Sequence, residues 1–370
     1  MNFTEFEELL GGEAKEISLY EDVILESDED YRRGIELKRD GLVIDGKGHV
    51  IDAMERAKAF HIQGDNITIK NLKFKNAVSH KGNGGGAIEN VGKELSIKNS
   101  HFFNNCSLGP LGGGAICSFE DMNINDCIFE SNTSVRSDGG AIYLETFFKP
   151  NVTVIMKNCS FKNNYADGGF KDFGSNAGAI FNKNANLYLF DCNFEDNGVV
   201  SAYDSSSESI QNKNGIITMD NCCFNTRESH SIFNLGFLLI NSSRFYHHPE
   251  NLEIQGSIFN RGFVGLLYGE RNQYKVELDG KVLDSSDIGD LINEYKKTYN
   301  LDTKEVGFIF KKNIIESIND LSSDNFNLED FNLGDINLSD YKDDEYLMDL
   351  LKNKIDLIYS GDFEDSDESI

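Results

Sequence analysis

Residues 95–102 read LSIKNSHF, residues 122–129 MNINDCIF, residues 154–161 VIMKNCSF and residues 187–194 LYLFDCNF. Apolar residues alternate with polar ones in each, as in Leu95 and Ile97, Met122 and Ile124, or Leu187 and Leu189. Alternation with a period of two places one face of a short strand in a core. Asn, Asp and Gly interrupt the phrases too often for helices. The same phrase extends in both directions: ITIKNLKF (67–74), IITMDNCCF (216–224), LLINSSRF (238–245) and LEIQGSIF (252–259). Its terminal Phe falls at 74, 102, 129, 161, 194, 224, 245 and 259, at spacings of 28, 27, 32, 33, 30, 21 and 14.

A second phrase lies between these: GGGAIEN (84–90), GGGAICS (112–118), GGAIYLE (139–145) and AGAIFNK (178–184). Glycine permits a tight turn at positive φ, and alanine suits a crowded interior. A repeat of this length with two or three short strands fits one coil of a parallel β-helix. A single coil cannot bury its own apolar face, but stacked coils share a continuous core. Eight phrases predict about eight coils and, at about 4.8 Å per coil, a rod about 40 Å long.

Stacking sets like residues above like. The sixth position of the phrase, Leu72, Ser100, Cys127, Cys159, Cys192, Cys222, Ser243 and Ser257, is expected to form an inward column of small side chains. The fifth, Asn71, Asn99, Asp126, Asn158, Asp191, Asn221, Ser242 and Gly256, is expected at a turn, where Asn tolerates unusual φ/ψ and bonds to the neighbouring coil. Phe102, Phe129, Phe161, Phe194 and Phe224 are expected to stack in the core. Asn105, Asn132, Asn164 and Asn197 each follow a Phe by three residues. A propeller or sandwich would need even antiparallel strands with regular hairpin signals, which the uneven spacings do not supply.

The ends differ from the middle. In residues 1–14, Phe3, Phe6, Leu9 and Leu10 make one apolar helical face, stopped by Gly11 and Gly12, and Thr4 with Glu7 has capping-box spacing. This predicts a capping helix ahead of a β-helix over 15–265. ISLYEDVIL (17–25) and GIELKRDGLVIDGKGHVIDA (34–53) read as its early, less regular coils. Residues 266–318 read as a small α/β cap region, with a hairpin at 274–283 turning on Asp279–Gly280 and helical spacing over 287–301. Residues 319–370 hold 16 acids and 3 Lys, a net −13, and read as an acidic tail with an amphipathic helix at 346–359 and a disordered end. The motif FNLED-FNLGD-INLSD (326–340) has only three pentapeptide units, too few for a domain.

Across all 370 residues, 35 Lys+Arg against 62 Asp+Glu leave −27. That balance argues against a nucleic-acid partner and against an anionic membrane surface. No apolar run reaches the length of a membrane span. The opening MNFTEFEELLGGE lacks the basic and then apolar order of a secretory signal, so the sequence alone reads as cytoplasmic. The seven cysteines include no C-x-x-C pair and read as free thiols, with Cys106, Cys117 and Cys223 outside the column.

The alternation of Gly113–Gly114–Ala115–Ile116 and Gly139–Gly140–Ala141–Ile142 with Phe129–Asn132, Phe161–Asn164 and Phe194–Asn197 resembles the polymorphic outer-membrane protein repeat. The opening through the first GGGAI phrase is similar to adhesin-like β-helix proteins of methanogenic archaea. The resemblance covers about residues 15–265. It implies a right-handed parallel β-helix of the pectin-lyase-like kind, cell-surface display, and loops or side faces that bind a glycan or protein.

The same fold class carries lyases and hydrolases, so chemistry must be sought residue by residue. The arginines Arg136, Arg227, Arg244, Arg261 and Arg271 do not recur at one column position. Asp126 and Asp191 share the turn column, two coils apart. Asp167 and Glu195–Asp196 lie near loops without a visible partner. Asp204 and Glu208 sit in the polar insert 203–214, which reads as a loop. The seven His (49, 61, 80, 101, 230, 247 and 248) make no metal-binding pattern, and His101 is expected to point outward. The glycine triplets lack the Lys-Ser/Thr of a phosphate cradle. The expectation is a non-catalytic scaffold with no catalytic, cofactor or metal residues. An intracellular solenoid docking through its acidic tail, and a polysaccharide lyase or glycoside hydrolase, are the alternatives. Loops at 165–176 and 199–213 are the expected binding elements.

An inward thiol column makes a direct prediction. Cys159→Arg places an unpaired charge in the stack and lowers stability by several kcal/mol, on the order of 3–5. Thermal melting unchanged from wild type would mean that the column faces outward.

Overall fold

The structure is a computed structural model. It describes residues 1–80, 84–146, 152–168, 176–200, 207–226, 230–241 and 243–247, and strands at 258–260, 263–267, 275–278, 281–284 and 309–310. The chain divides into two compact units, residues 1–264 with 271–285, and residues 265–270 with 286–370.

The first unit is a parallel β-solenoid. One coil runs through Leu95–Lys98 in a first sheet, His101–Phe103 in a second, Cys106–Ser107 in a short third and Ile116–Ser118 in a fourth. The next coil pairs in parallel register: Ile97 with Ile124, Phe102 with Phe129, Cys106 with Thr133, Ile116 with Ile142. Both recurring phrases are thereby explained. The first makes the corner between sheets one and two, and the second leads into sheet four.

Seven phenylalanines form one stack. Phe74, Phe102, Phe129, Phe161, Phe194, Phe224 and Phe245 have neighbouring centroids 4.5–4.8 Å apart and rings within 8° of parallel. That spacing is the interstrand distance, so backbone pairing dictates the ring geometry. The small-residue column also points inward. Cys127, Cys159, Cys192 and Cys222 are each at most 2% exposed. Each thiol donates to the carbonyl two residues before it, at 3.1–3.4 Å (Cys127 to Asn125, Cys222 to Asp220), so the position selects a small donor as well as a small volume. Burial pushes the Cys127 thiol up to about 12.

The corner residues Asn71, Asn99, Asp126, Asn158, Asp191 and Asn221 all have φ between 45° and 54°. Their side chains bond from coil to coil, as in Asn99 Nδ2 to Asn71 Oδ1 and Asn158 Nδ2 to Asp126 Oδ1, both 2.7 Å. In the GGAI phrases, Gly85, Gly113 and Gly139 take φ of 67–76°, and Ala177 takes 63° in their place. Ala87, Ala115, Ala141 and Ala179 are fully buried.

An internal amide column is the main polar element of the core. Asn105, Asn132, Asn164 and Asn197 are at most 4% exposed. Asn105 Nδ2 donates to Asn132 Oδ1, Asn132 to Asn164 and Asn164 to Asn197, each at 2.9 Å. The second amide hydrogen goes to the Phe carbonyl of the preceding coil, as in Asn105 to Phe74 and Asn132 to Phe102.

The opening helix spans Phe3–Leu10 and buries Phe3, Phe6 and Leu10. Its cap differs from the expected Thr4–Glu7 pair. Asn2 Oδ1 accepts from Glu5 N and Glu5 Oε2 accepts from Asn2 N, because Asn2 is the last residue with extended backbone. Thr4 is inside the helix and bonds to Glu29. At the other end Arg39 donates to the carbonyls of Leu10, Gly12 and Ala14.

Of three further expectations, two need correction and one holds. The eighth phrase does not continue the stack: Ile258 and Phe259 pair with Ile232 and Phe233 in sheet four. Fourteen residues after Phe245 are too few for a full coil and carry the chain only to that sheet. Second, Ser207–Lys213 is a strand of sheet four, not a loop, with Ile210 opposite Ile180. Its polar letters fit because Asn212 joins a second buried amide row, between Asn182 and Asn234. Third, 274–283 does hold a hairpin, with Lys275–Leu278 antiparallel to Lys281–Asp284. In the second unit a strand at Ile309–Phe310 pairs with Leu266–Leu267. The helices expected over 287–301 and 346–359, the 326–340 repeat, the acidic tail, Ser242, Gly256 and Ser257 lie outside the described residues.

Asn132→Ala tests the amide column. It leaves Asn105 Nδ2 and the Asn105 backbone N–H without their shared acceptor, at a cost of about 1–3 kcal/mol for each buried donor. A urea midpoint equal to wild type would mean that the column adds no stability.

Candidate functional site

A groove of about 1430 Å³ opens where sheet four meets the short third sheet, near the first coils. Its floor is one outward column of sheet four, in which Glu36 pairs in register with His61 and His61 with Glu89. One wall carries His80, Leu108, Val135 and Arg136, which end or follow the third-sheet strands. The other is the segment from Leu25 to Arg33.

That segment is held from both sides. Arg56 donates to the carbonyls of Leu25 at 2.9 Å, Glu26 at 2.5 Å and Ser27 at 3.3 Å. Glu29 accepts from Thr4 N and Thr4 Oγ1, both at 2.8 Å, and from Glu26 N at 2.8 Å. Burial pushes the Glu29 carboxyl up, but these bonds hold it below its ordinary value, and the charge sits at a helix N-terminus, where it is favoured. Tyr31 donates to Glu7 Oε2 at 2.8 Å.

Beneath the floor lies a buried ionic cluster. Lys58 is fully buried, and its ammonium meets Glu89 Oε2 at 2.5 Å. His61 Nδ1 reaches the same oxygen at 3.2 Å. Burial lowers the Lys58 pKa against the pull of Glu89. Burial raises that of Glu89, but His61 and Lys58 outweigh it and keep the carboxylate ionised. The column continues through Cys117, Tyr143 and Phe181 into a small outer core with Ala177, Leu111 and Phe119. The groove thus ends where the outer face becomes apolar.

The other sequence candidates are placed as structural groups. Asp126 and Asp191 accept from Asn158 and Asn221 at the corners. Glu195 pairs with Lys162 at 3.2 Å. The Asp167 carbonyl accepts from Arg136 N, and Asp196 takes φ of 51° at a turn. Glu208 is 5% exposed within its strand, and Asp204 lies outside the described residues. Arg244 begins a strand of sheet two. His49 pairs with Asp22, and His101 faces Glu130 at 3.4 Å on the outer surface as expected. No group of three or more metal-ligating residues occurs among the described residues. No helix there is long and apolar enough to cross a membrane.

Most of the groove residues were missed because they precede the regular repeat, as Leu25 through Gln63 do. Arg32, Arg33 and Arg56 join Arg136, so four of nine arginines line one groove in a chain of net charge −27. The available signal was their crowding between positions 32 and 56. The carboxylates of the floor do not make an acid–base pair. Glu36 and Glu89 are two strand spacings apart, roughly 9–10 Å along the column. Lys38 lowers the pKa of Glu36 as Lys58 and His61 lower that of Glu89, so neither holds a proton to give.

Residues 126–145 match the Chlamydia polymorphic membrane protein repeat. They run from the corner Asp126 through Phe129 and Asn132 to the GGAI phrase, and so contain one corner, the aromatic and amide columns and the entry to sheet four. No curated protein and no solved structure matches the chain.

Glu89→Gln leaves the Lys58 ammonium buried without a counter-charge and costs about 3–5 kcal/mol in a denaturant titration. The pair Lys58→Met with Glu89→Leu restores most of that loss; if it does not, the cluster is held by more than its ion pair. Asp138, whose Oδ1 accepts Asn176 N at 2.7 Å, gives a pH test. Burial pushes its carboxyl from 3.8 up to about 6. The folded state therefore binds this proton more tightly. Its contribution to stability is full below the ordinary value and is lost as pH rises through about 6. Asp138→Asn removes that slope, so its urea midpoint gains on wild type between about pH 4 and pH 7; a constant difference would refute the shift.

Proposed function

We propose that this chain is a non-catalytic, adhesin-like scaffold that presents the groove between its third and fourth sheets to a glycan or protein. The matched polymorphic membrane protein repeat and the β-solenoid fit such a scaffold. The groove itself carries the reading. It is preformed, its bordering segment is fixed by Arg56 and Glu29, and its floor offers polar groups. The ionised state of both floor carboxylates favours binding over hydrolysis, which requires one protonated partner.

The test is capture of immobilised ligands by the full chain on a glycan array and a protein panel, beside reducing-end and unsaturated-product assays. Capture without turnover is the expected outcome. Turnover of any polysaccharide would replace this reading with an enzymatic one, and silence on every surface would end it.

A further inference from the structure

We propose that the groove takes an uncharged oligosaccharide, held through its hydroxyl groups; this rests on the groove being the presenting site. The balance of charge in the lining is the first observation. Six carboxylates, those of Asp28, Glu29, Asp30, Glu36, Glu55 and Glu89, face four arginines, Arg32, Arg33, Arg56 and Arg136. Two lysines beside the lining make up the difference, since Lys38 pairs with Glu36 and Lys58 with Glu89. With His counted as neutral, six charges of each sign meet there, in a chain whose net charge is −27. Such a lining selects neither anions nor cations.

Groups of both signs also remain open. Asp30 pairs with Arg32 at 3.4 Å, Glu29 accepts from the opening helix, and Arg56 donates to three backbone carbonyls. Asp28 and Glu55, by contrast, have no cation at ion-pair distance, and Arg33 and Arg136 no carboxylate, among the described residues; all four are exposed. Lys58 and His61 both bond to Oε2 of Glu89, and Oε1 has no protein partner among the described residues. The groove therefore offers strong acceptors and strong donors together. Two neighbouring hydroxyls can give their hydrogens to one carboxylate or accept two from one guanidinium, and an ionised partner strengthens each bond without requiring a charge on the ligand. Leu25, Leu108 and Val135 add small apolar patches, suited to the C–H faces of a sugar ring.

Size favours a chain over a single small molecule. About 1430 Å³ exceeds the roughly 300–1,000 Å³ of a typical small-molecule pocket. The wall residues His80, Leu108 and Val135 come from three successive coils, so the groove follows the solenoid axis with one rung about every 4.8 Å, close to the advance of one sugar ring in an extended chain. The backbone speaks against an extended peptide, which binds by pairing its main chain with an open strand. Arg56 already takes the carbonyls of Leu25, Glu26 and Ser27, and Glu29 accepts the Glu26 N–H. The floor strands Phe60–Ile62 and Ile88–Asn90 are paired on both sides. Recognition in this groove is left to side chains.

The experiment is calorimetric titration of the full chain with cellotetraose, laminaritetraose and mannotetraose, beside a galacturonate tetramer, a cationic glucosamine tetramer and a peptide of alternating Glu and Lys. The expected result is binding of at least one neutral tetrasaccharide, nearly independent of salt, with neither charged tetramer bound more tightly. Asp28→Ala and Arg33→Ala should each weaken it about tenfold. Both side chains are exposed and unpaired, so the urea midpoints of these variants should match wild type. Lys47→Ala with Lys73→Ala, in a separate groove at the corner of sheets one and two, should leave binding unchanged. Tighter binding of either charged tetramer, binding of the peptide alone, silence of all three neutral tetrasaccharides, or unchanged affinity in both groove variants overturns the neutral-saccharide assignment. A ligand of another class captured on the glycan array or protein panel would still leave the scaffold reading standing, whereas no capture at all removes both.

Discussion

Parallel pairing at a fixed pitch governs this molecule. Once successive strands lie about 4.8 Å apart, every inward residue is set against its counterpart one coil away. The chain must then supply side chains that tolerate their own kind at that distance. Phenyl rings do so face to face, thiols do so because each finds a carbonyl within its own turn, and asparagines do so because an amide is both donor and acceptor. Charged residues cannot form such like columns inside, and the aromatic, thiol and amide columns contain none among the described residues.

The pitch also explains where irregularity is allowed. The link from sheet one to sheet two is short and nearly invariant, with an Asn or Asp at positive φ. The links into and out of sheet four vary and absorb the differences in coil length: Phe161 to Ile180 spans 19 residues against 14 from Phe102 to Ile116, and Ile142 to Val154 spans 12 against 6 from Ile116 to Met122. Leu111 and Ala177, on two of the links that lead in, pack with Tyr143 and Phe181 on the outer face of sheet four and cover it there. Near the first coils that cover gives way to the groove. The groove and much of the length variation therefore occur on the same side, while the opposite corner keeps the register.

Much of this was legible in the letters because the stack repeats itself. Phe102, Cys127 and Asn99 could each be placed from their counterparts alone, since a column is a property of a series. Elements without a series were harder to place. Ile258 and Phe259 imitate the end of a repeat phrase, yet sheet four also carries an Ile-Phe pair at Ile180–Phe181 and Ile232–Phe233, and the short spacing sends them there. Ser207–Lys213 looked like a loop because its polarity was read as exposure, although buried amide rows make Asn212 an interior residue. The groove was the least legible feature. Glu89 is one letter within GGGAIEN, and its partner Lys58 occupies the coil that lacks the glycine phrase, so no periodicity links them.

The internal amides also have a sense of direction. Each uses one hydrogen on a carbonyl of the coil before it and extends the other toward the oxygen of the coil after it, from Asn105 through Asn164. All the amide dipoles therefore point the same way along the axis. A partly built column always ends in an open donor, and the next rung closes it only in correct alignment. Synthesis from the N-terminus presents the rungs in that order, so each finished turn is a template that selects the register of its successor.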